Sequence, residues 1–300
     1  MRVLALFGPT AVGKTQIAIA AAQLLRRGGE DPVAVSADAL QVYRGLAILT
    51  GAPSDGERRA LEHRLVGFLA VQETFSVGRY AQLAHHEIDT LLAEGRRPIV
   101  VGGTGLYLRA ALADLRLRPQ PPAHLREELT ARLEREGAGA LHRQLAEAAP
   151  WAAARIEPAD GRRIVRALEL AAIGELRERS GESELWSEEL RHPTASFALV
   201  PDRDALREAI GSRVDEMFAQ GAREEVLSAE AQGASATARA AVGYRELLSG
   251  DLEAMKRRTW AYARRQMTWL RKLPASVRRI EVSDRSAEDV AAEIVDSAAP

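Results

Sequence analysis

Short apolar runs and longer amphipathic stretches alternate through the first third of the chain. Val3-Leu4-Ala5-Leu6-Phe7 is apolar at every position, as a strand buried on both faces should be. The stretch from Lys14 to Arg27 puts Ile17, Ala20, Ala21 and Leu24 on one face at helical spacing. Val33-Ala34-Val35 predicts a second strand and Pro98-Ile99-Val100-Val101 a third. A helix is expected over 79–94, with Leu83, Ile88, Leu91 and Leu92 inward, and another from Leu106 to Ala113. Residues 45–75 carry little periodicity and read as loops with a short helix.

After Pro119, Pro121 and Pro122 the pattern changes. From 123 to 190 it is helical only, with helices expected at 123–136, 140–148 and 160–173, separated by Gly137, Gly139 and Pro150. Asp160 is placed to cap the third of these. Ser196–Val200 returns to strand character. A helix over 204–220 follows, with Leu206, Ile210, Val214 and Met217 on one face and Gly221 as its stop. Further helical segments are expected at 222–232, after Val242-Gly243-Tyr244-Arg245, and from Ser286.

The chain has 300 residues, 46% of them hydrophobic, enough for a sizeable core in one large or two modest domains. Its formal net charge is −1, so any binding of nucleic acid must come from local patches. With no cysteine there are no disulfides or thiolate metal sites, and six scattered histidines do not suggest zinc. His85 and His86 are adjacent on one helix and cannot share a face, so they read as surface or packing residues. No signal peptide and no membrane-length apolar run is visible. A cytoplasmic protein without membrane contact, monomeric by default, is the expectation.

Chemistry enters where strand gives way to helix. Gly8-Pro9-Thr10-Ala11-Val12-Gly13-Lys14-Thr15 is a complete G-x-x-x-x-G-K-[ST] loop between its strand and its helix. Its glycines let backbone N–H groups converge on an anion, and the helix N-terminus adds partial positive charge. Lys14 can reach a terminal phosphate and Thr15 can ligate Mg²⁺. The loop asks for a diphosphate or triphosphate without saying what carries it. The expected fold is therefore α/β: a P-loop NTPase-like parallel-sheet core over 1–118 and 193–300, with a mainly helical insertion over 119–192.

Three further features surround that loop. Asp38 follows the second strand, at the end where ligands gather in an open α/β sheet. It could hold Mg²⁺ through water, act as a general base towards a second substrate, or merely cap a helix. Gly102-Gly103-Thr104-Gly105 ends the third strand, either bringing backbone and a hydroxyl to a ligand or making a tight turn. Arg162, Arg163 and Arg166 lie on the last insertion helix, where Arg166 can pair with Glu169. Finally, 256–279 holds Lys256, Arg257, Arg258, Arg264, Arg265, Arg271, Lys272, Arg278 and Arg279 with no acidic residue, interleaved with Trp260, Tyr262 and Trp269. Such a mixture suits a nucleic-acid backbone with unstacked bases, or a basic amphipathic helix packed by its aromatics.

In its blocks the chain resembles the bacterial tRNA dimethylallyltransferases, also called tRNA isopentenyltransferases. The matching blocks are Gly8–Thr15, Ser36–Gly45 (SADALQVYRG), Phe75–Val77, Pro98–Leu108 (PIVVGGTGLYL), Asp160–Glu169, Asp202–Arg203, Arg213–Gly221, Val242–Arg245 and Ala263–Arg271 (ARRQMTWLR). They run in the family's order from residue 1 to 272. Departures occur at Leu49–Pro53, where the family usually reads Gly-Thr-Ala-Lys-Pro, at Arg64 and Gly67, and at Trp260. The resemblance implies transfer of a dimethylallyl group from dimethylallyl diphosphate to the exocyclic amine of the adenosine 3′ of the anticodon. It implies the diphosphate on Gly8, Pro9, Thr10, Ala11, Val12, Gly13, Lys14, Thr15 and Arg203, with Mg²⁺ on Thr15. Asp38 would accept the amine's proton, and Thr10, Lys14 and Thr104 would complete the catalytic set. The tRNA anticodon stem-loop would meet Asp38, Ala39, Leu40, Gln41, Thr104, Arg162, Arg163, Arg166, Arg264 and Arg265, clasped by the helical insertion. The rival readings are a P-loop kinase of a small metabolite or nucleotide, and a non-catalytic RNA-binding protein.

Overall fold

The computed structural model describes residues 2–178 and 189–298. Six strands, all parallel, form one sheet: β1 (Val3–Phe7), β2 (Pro32–Ser36), β3 (His63–Arg64), β4 (Arg97–Gly102), β5 (Thr194–Val200) and β6 (Arg278–Glu281). Their order is β3-β2-β4-β1-β5-β6. Every residue of β1 and β2 is buried, which is why those strands read as unbroken apolar runs. The two edge strands do not. β3 has two residues, and β6 buries only Ile280 among Arg278, Arg279 and Glu281. Short, charged edges discourage pairing with other chains, and they leave no apolar pattern to read.

The helices are α1 (Lys14–Arg27), α2 (Ala47–Thr50), α3 (Asp55–Ala60), α4 (Val77–Ala93), α5 (Gly105–Leu112), α6 (Ala123–Glu136), α7 (Ala138–Ala148), α8 (Pro150–Ala153), α9 (Gly161–Ala172), α10 (Arg203–Ala219), α11 (Ala222–Ala231), α12 (Tyr244–Ser249), α13 (Leu252–Lys272) and α14 (Ala287–Ser297). The crossovers β1-α1-β2 and β3-α4-β4 run in opposite directions across the sheet. Right-handed connections therefore put α1 and α4 on opposite faces. Under α1 and α14 lie Leu4, Leu6, Ile17, Ile99, Val290 and Ile294.

The chain divides into two compact units. The sheet unit comprises residues up to Leu115 and those that follow the insertion. The second unit starts at Arg116, three residues before the expected boundary, and is helical. Its core is built from Leu129, Leu141, Leu145, Ile164, Val165 and Leu168. Asp160 caps α9, accepting from the Arg163 N–H at 3.1 Å. The helical character expected over 179–188 lies outside the described residues. The basic stretch 256–279 is two elements, the C-terminal part of α13 and the edge strand β6.

Candidate active site

In the sheet order, β4 lies between β2 and β1. Their carboxyl ends therefore bring three loops side by side: the phosphate loop after β1, the Gly-Gly-Thr-Gly turn after β4 and the Asp38 segment after β2. The Gly8 N–H donates to the Gly102 carbonyl at 3.3 Å, and the Ala37 N–H to the Val101 carbonyl at 2.7 Å. This is the crevice where open α/β sheets bind ligands.

The phosphate loop turns through left-handed backbone at Ala11 (φ 65°) and Gly13 (φ 84°), and α1 begins at Lys14. Thr15 is the second residue of that helix. The Lys14 ammonium donates to the carbonyls of Gly8 at 3.0 Å and Pro9 at 2.7 Å. Burial, and then the nearby charge of Arg213, lower its pKa to about 7 against the opposing pull of Asp38. Arg213 is held down in turn by burial, offset by Glu57, Glu216 and Asp38. Its Nε is buried without a hydrogen-bond partner among the described residues. Its guanidinium fills the space that a side chain at Gly51 would take. Two desolvated cations thus repel one another beside an anion-binding loop.

Asp38 caps a turn, not a helix. Its Oδ1 accepts from the N–H groups of Leu40 at 2.8 Å and Gln41 at 3.3 Å. Its Oδ2 has no hydrogen-bond partner among the described residues. The carboxylate's field reaches Lys14, Arg213, Tyr80 and Tyr262. Gln41 is held at both ends of its amide: Oε1 accepts from Ser36 Oγ at 2.9 Å, and Nε2 donates to the Gly51 carbonyl at 3.0 Å. Ala39 and Leu40 are half-buried in the turn between them.

Helix α13, for which the sequence leaves both RNA contact and packing by its aromatics open, supplies the back wall. Tyr262, Gln266 and Trp269 follow one another along one helical face. The Tyr262 hydroxyl shares a hydrogen bond with Thr104 Oγ1 at 3.0 Å. Gln266 Oε1 accepts from the Thr10 N–H at 2.9 Å, and its Nε2 donates to the Gly103 carbonyl at 2.8 Å. A Cβ at Gly103 would collide with Gln266, and one at Gly105 with the Trp269 ring. Burial, with the charge of Asp38, pushes the Tyr262 hydroxyl up to about 12, so it stays protonated. On another face, Trp260, Ala263 and Met267 pack with Leu206, Ile210 and Ala11 of the phosphate loop.

The arginines divide. Arg203, at the first turn of α10, is exposed and lies over the Trp260 ring at 6.0 Å. Arg264 and Arg265 are exposed on α13, with Arg265 5.7 Å from the Tyr262 ring centre. The rest of the basic stretch is partly neutralised: Lys256 pairs with Asp215 and Glu253, Arg258 with Glu246, and Arg278 with Glu293. In the helical unit, Arg162 and Arg163 are exposed. Arg166 is engaged by the fully buried Glu169 at 3.2 Å and by the Pro119 carbonyl at 3.0 Å. Arg126 holds the same carboxylate.

Among the described residues no group of three or more His, Asp or Glu could hold a metal ion. The donors at hand, a Thr15 hydroxyl beside an anion loop, fit Mg²⁺ carried by a diphosphate and waters. No helix among the described residues is long and apolar enough to cross a membrane.

The family model described as IPP transferase matches residues 41–273. The chain belongs to the IPP transferase family. Curated relatives include the tRNA dimethylallyltransferases of Anaeromyxobacter dehalogenans (strain 2CP-C), 44% identical over 91% of this chain and 92% of that protein, and of Streptomyces coelicolor, 41% identical over 91% and 88%. Among solved structures, the tRNA isopentenylpyrophosphate transferase of Bacillus halodurans is 31% identical, with a TM-score of 0.70 over 98% of this chain and 94% of that one. The family match begins at Gln41, beyond the phosphate loop and Asp38, whereas these relatives cover nearly the whole chain.

Proposed function

We propose that the protein transfers the dimethylallyl group of dimethylallyl diphosphate to the exocyclic amine of the adenosine 3′ of the anticodon in tRNA. The observation that carries this reading is the pair of desolvated cations, Lys14 and Arg213, beside an anion loop and a half-engaged carboxylate. Relatives named tRNA dimethylallyltransferase, at over 40% identity along most of the chain, support the same chemistry over a nucleotide-dependent kinase.

The diphosphate lies on the amides of Gly8–Thr15, with Lys14 and Arg213 at its charge. Arg213 joins Arg203, the cation expected at this loop from the sequence, which stands exposed on the Trp260 ring. Thr15 would hold Mg²⁺, which would supply charge neutralisation for the leaving group. Lys14 and Arg213 stabilise the charge that grows as the allylic C–O bond breaks and the N–C bond forms. The amine attacks the allylic carbon and gives up one proton, which Oδ2 of Asp38 receives. Thr104, held by Tyr262, and Gln41 flank the amine and the base edge. The adenine must leave its stack to arrive there. Arg162 and Arg163, with Arg264 and Arg265, contact the anticodon stem-loop through its phosphates.

The test is transfer of labelled dimethylallyl diphosphate, with Mg²⁺, into unmodified tRNA bearing adenosine at that position. Label in that base is the expected result. An unlabelled tRNA, with folded protein that binds it, would overturn the proposal.

A further inference from the structure

Gln266 touches both halves of the proposed site without belonging to either. The residue is 5% exposed, and its carboxamide spans the phosphate loop and the turn after β4. Oxygen and nitrogen do different things. Oε1 accepts from the Thr10 N–H at 2.9 Å, and Nε2 donates to the Gly103 carbonyl at 2.8 Å. Both partners are backbone groups of loops that hold opposite ends of the reaction. Thr10 lies in the diphosphate cradle, and Gly103 precedes Thr104, which faces the amine.

From this geometry we infer that Gln266 is a positioning residue that sets the register between the bound diphosphate and the incoming amine. The inference rests on the prenyl-transfer reading above. A primary amide of this length both accepts and donates from a single planar head without first taking up a proton. A carboxylate can keep the Thr10 bond but cannot donate to Gly103. A thioether keeps the length and loses both bonds.

The surroundings are built to keep that head in place. Gly103 has no Cβ, and one there would meet both Gln266 and the Gly8 carbonyl. One turn earlier on α13, Tyr262 holds Thr104, and on the next turn Trp269 lies over Gly105. Three side chains of one helix face therefore govern three residues of one turn, and Gln266 also reaches the phosphate loop. Group transfer between two bound substrates depends steeply on their separation. A displacement of about 1 Å costs on the order of 100-fold in rate. Losing the strap moves the two loops independently, so it should lower the rate of the chemical step more than the binding of either substrate.

Gln266→Met and Gln266→Glu test this in the full-length protein, by single-turnover transfer from dimethylallyl diphosphate to tRNA at saturating concentrations. Gln266→Met should slow the chemical step about 10- to 100-fold. The KM for donor and the Kd for tRNA should stay within about threefold, because the contacts that supply uniform binding remain. Gln266→Glu carries the sharper signature. Protonated, its carboxyl again accepts at one oxygen and donates at the other; ionised, it cannot donate. Its rate relative to wild type, with Lys14, Asp38, Arg213 and Tyr262 present in both proteins, should rise as pH falls from 8 to 5.5. Tyr262→Phe, which removes only the Thr104 bond, gives a second route to loss of register should Gln266→Met fail to fold.

A folded Gln266→Met that transfers at the wild-type rate would overturn the inference. So would a loss confined to KM, or a flat Gln266→Glu to wild-type ratio across that pH range. Absence of transfer by the wild type would instead overturn the underlying function, so the two failures are distinct.

Discussion

Lys14 gives its protons to two carbonyls, not to a carboxylate, and Arg213 repels it. Burial and that repulsion bring its pKa from 10.5 to about 7. The consequence for stability has a definite sign. Between pH 7 and 10.5 the unfolded chain keeps a proton on Lys14 that the folded chain has released, so this group makes stability rise with pH across that window. Below it both states are protonated, and the folded state bears the full cost of the buried charge. Lys14→Met should therefore be more stable than the wild type at pH 6.5, with the advantage shrinking towards pH 9.5. Urea unfolding at a series of pH values measures this, and a pH-independent difference would contradict it. In the proposed function a bound diphosphate would supply the missing anion and reverse the preference.

Element α13 shows what can and cannot be read from a sequence. Its helical spacing, its basic face and its aromatic residues are all legible. Which face turns inward is not, because Tyr262, Gln266 and Trp269 find their partners in residues 103–105, more than 150 positions away. Strands β1, β2 and β4 are legible because burial on both faces leaves an apolar run. β3 and β6 are edges of two and four residues, held by backbone pairing with β2 and β5 and by little apolar surface of their own. Helix α9 follows from its pattern and its Asp160 cap. The Arg166–Glu169 pair was also expected from spacing, but not the second arginine, Arg126, that joins Glu169 from α6. At the site, the phosphate loop, Asp38 and Thr104 stand out by motif. Arg213 opens one of the matching blocks, but its place is not legible there, because it depends on Gly51 leaving room for its guanidinium.

Among the described residues, cations such as Arg96, Arg126, Arg191 and Arg239 are held in ion pairs within the protein. A net charge of −1 gives no general attraction for a polyanion, so binding must rest on exposed arginines such as Arg162, Arg163, Arg264 and Arg265. Each phosphate contact contributes a slope of about −0.7 to −0.9 in the dependence of log affinity on log salt. Replacing Arg162 and Arg163 together with Ala should weaken tRNA binding and flatten that slope by about 1.4 to 1.8. Fluorescence anisotropy over a salt series measures it, and an unchanged slope would remove both residues from the RNA interface. Arg166→Ala differs in kind: it takes one partner from a fully buried carboxylate, so its effect should fall on the stability of the helical unit.

The account turns on Asp38 receiving a proton while diphosphate leaves, and Asp38→Asn isolates that step. The amide oxygen of asparagine can still accept from the Leu40 and Gln41 N–H groups, so the turn survives while the base is lost. Diphosphate release and prenylated adenosine should be followed together in a single turnover. The wild type should release one diphosphate per modified adenosine, and none without tRNA. Asp38→Asn should bind tRNA as the wild type does and react about 10²- to 10⁴-fold more slowly. An Asp38→Asn rate equal to that of the wild type, or diphosphate release that ignores tRNA, would contradict the account.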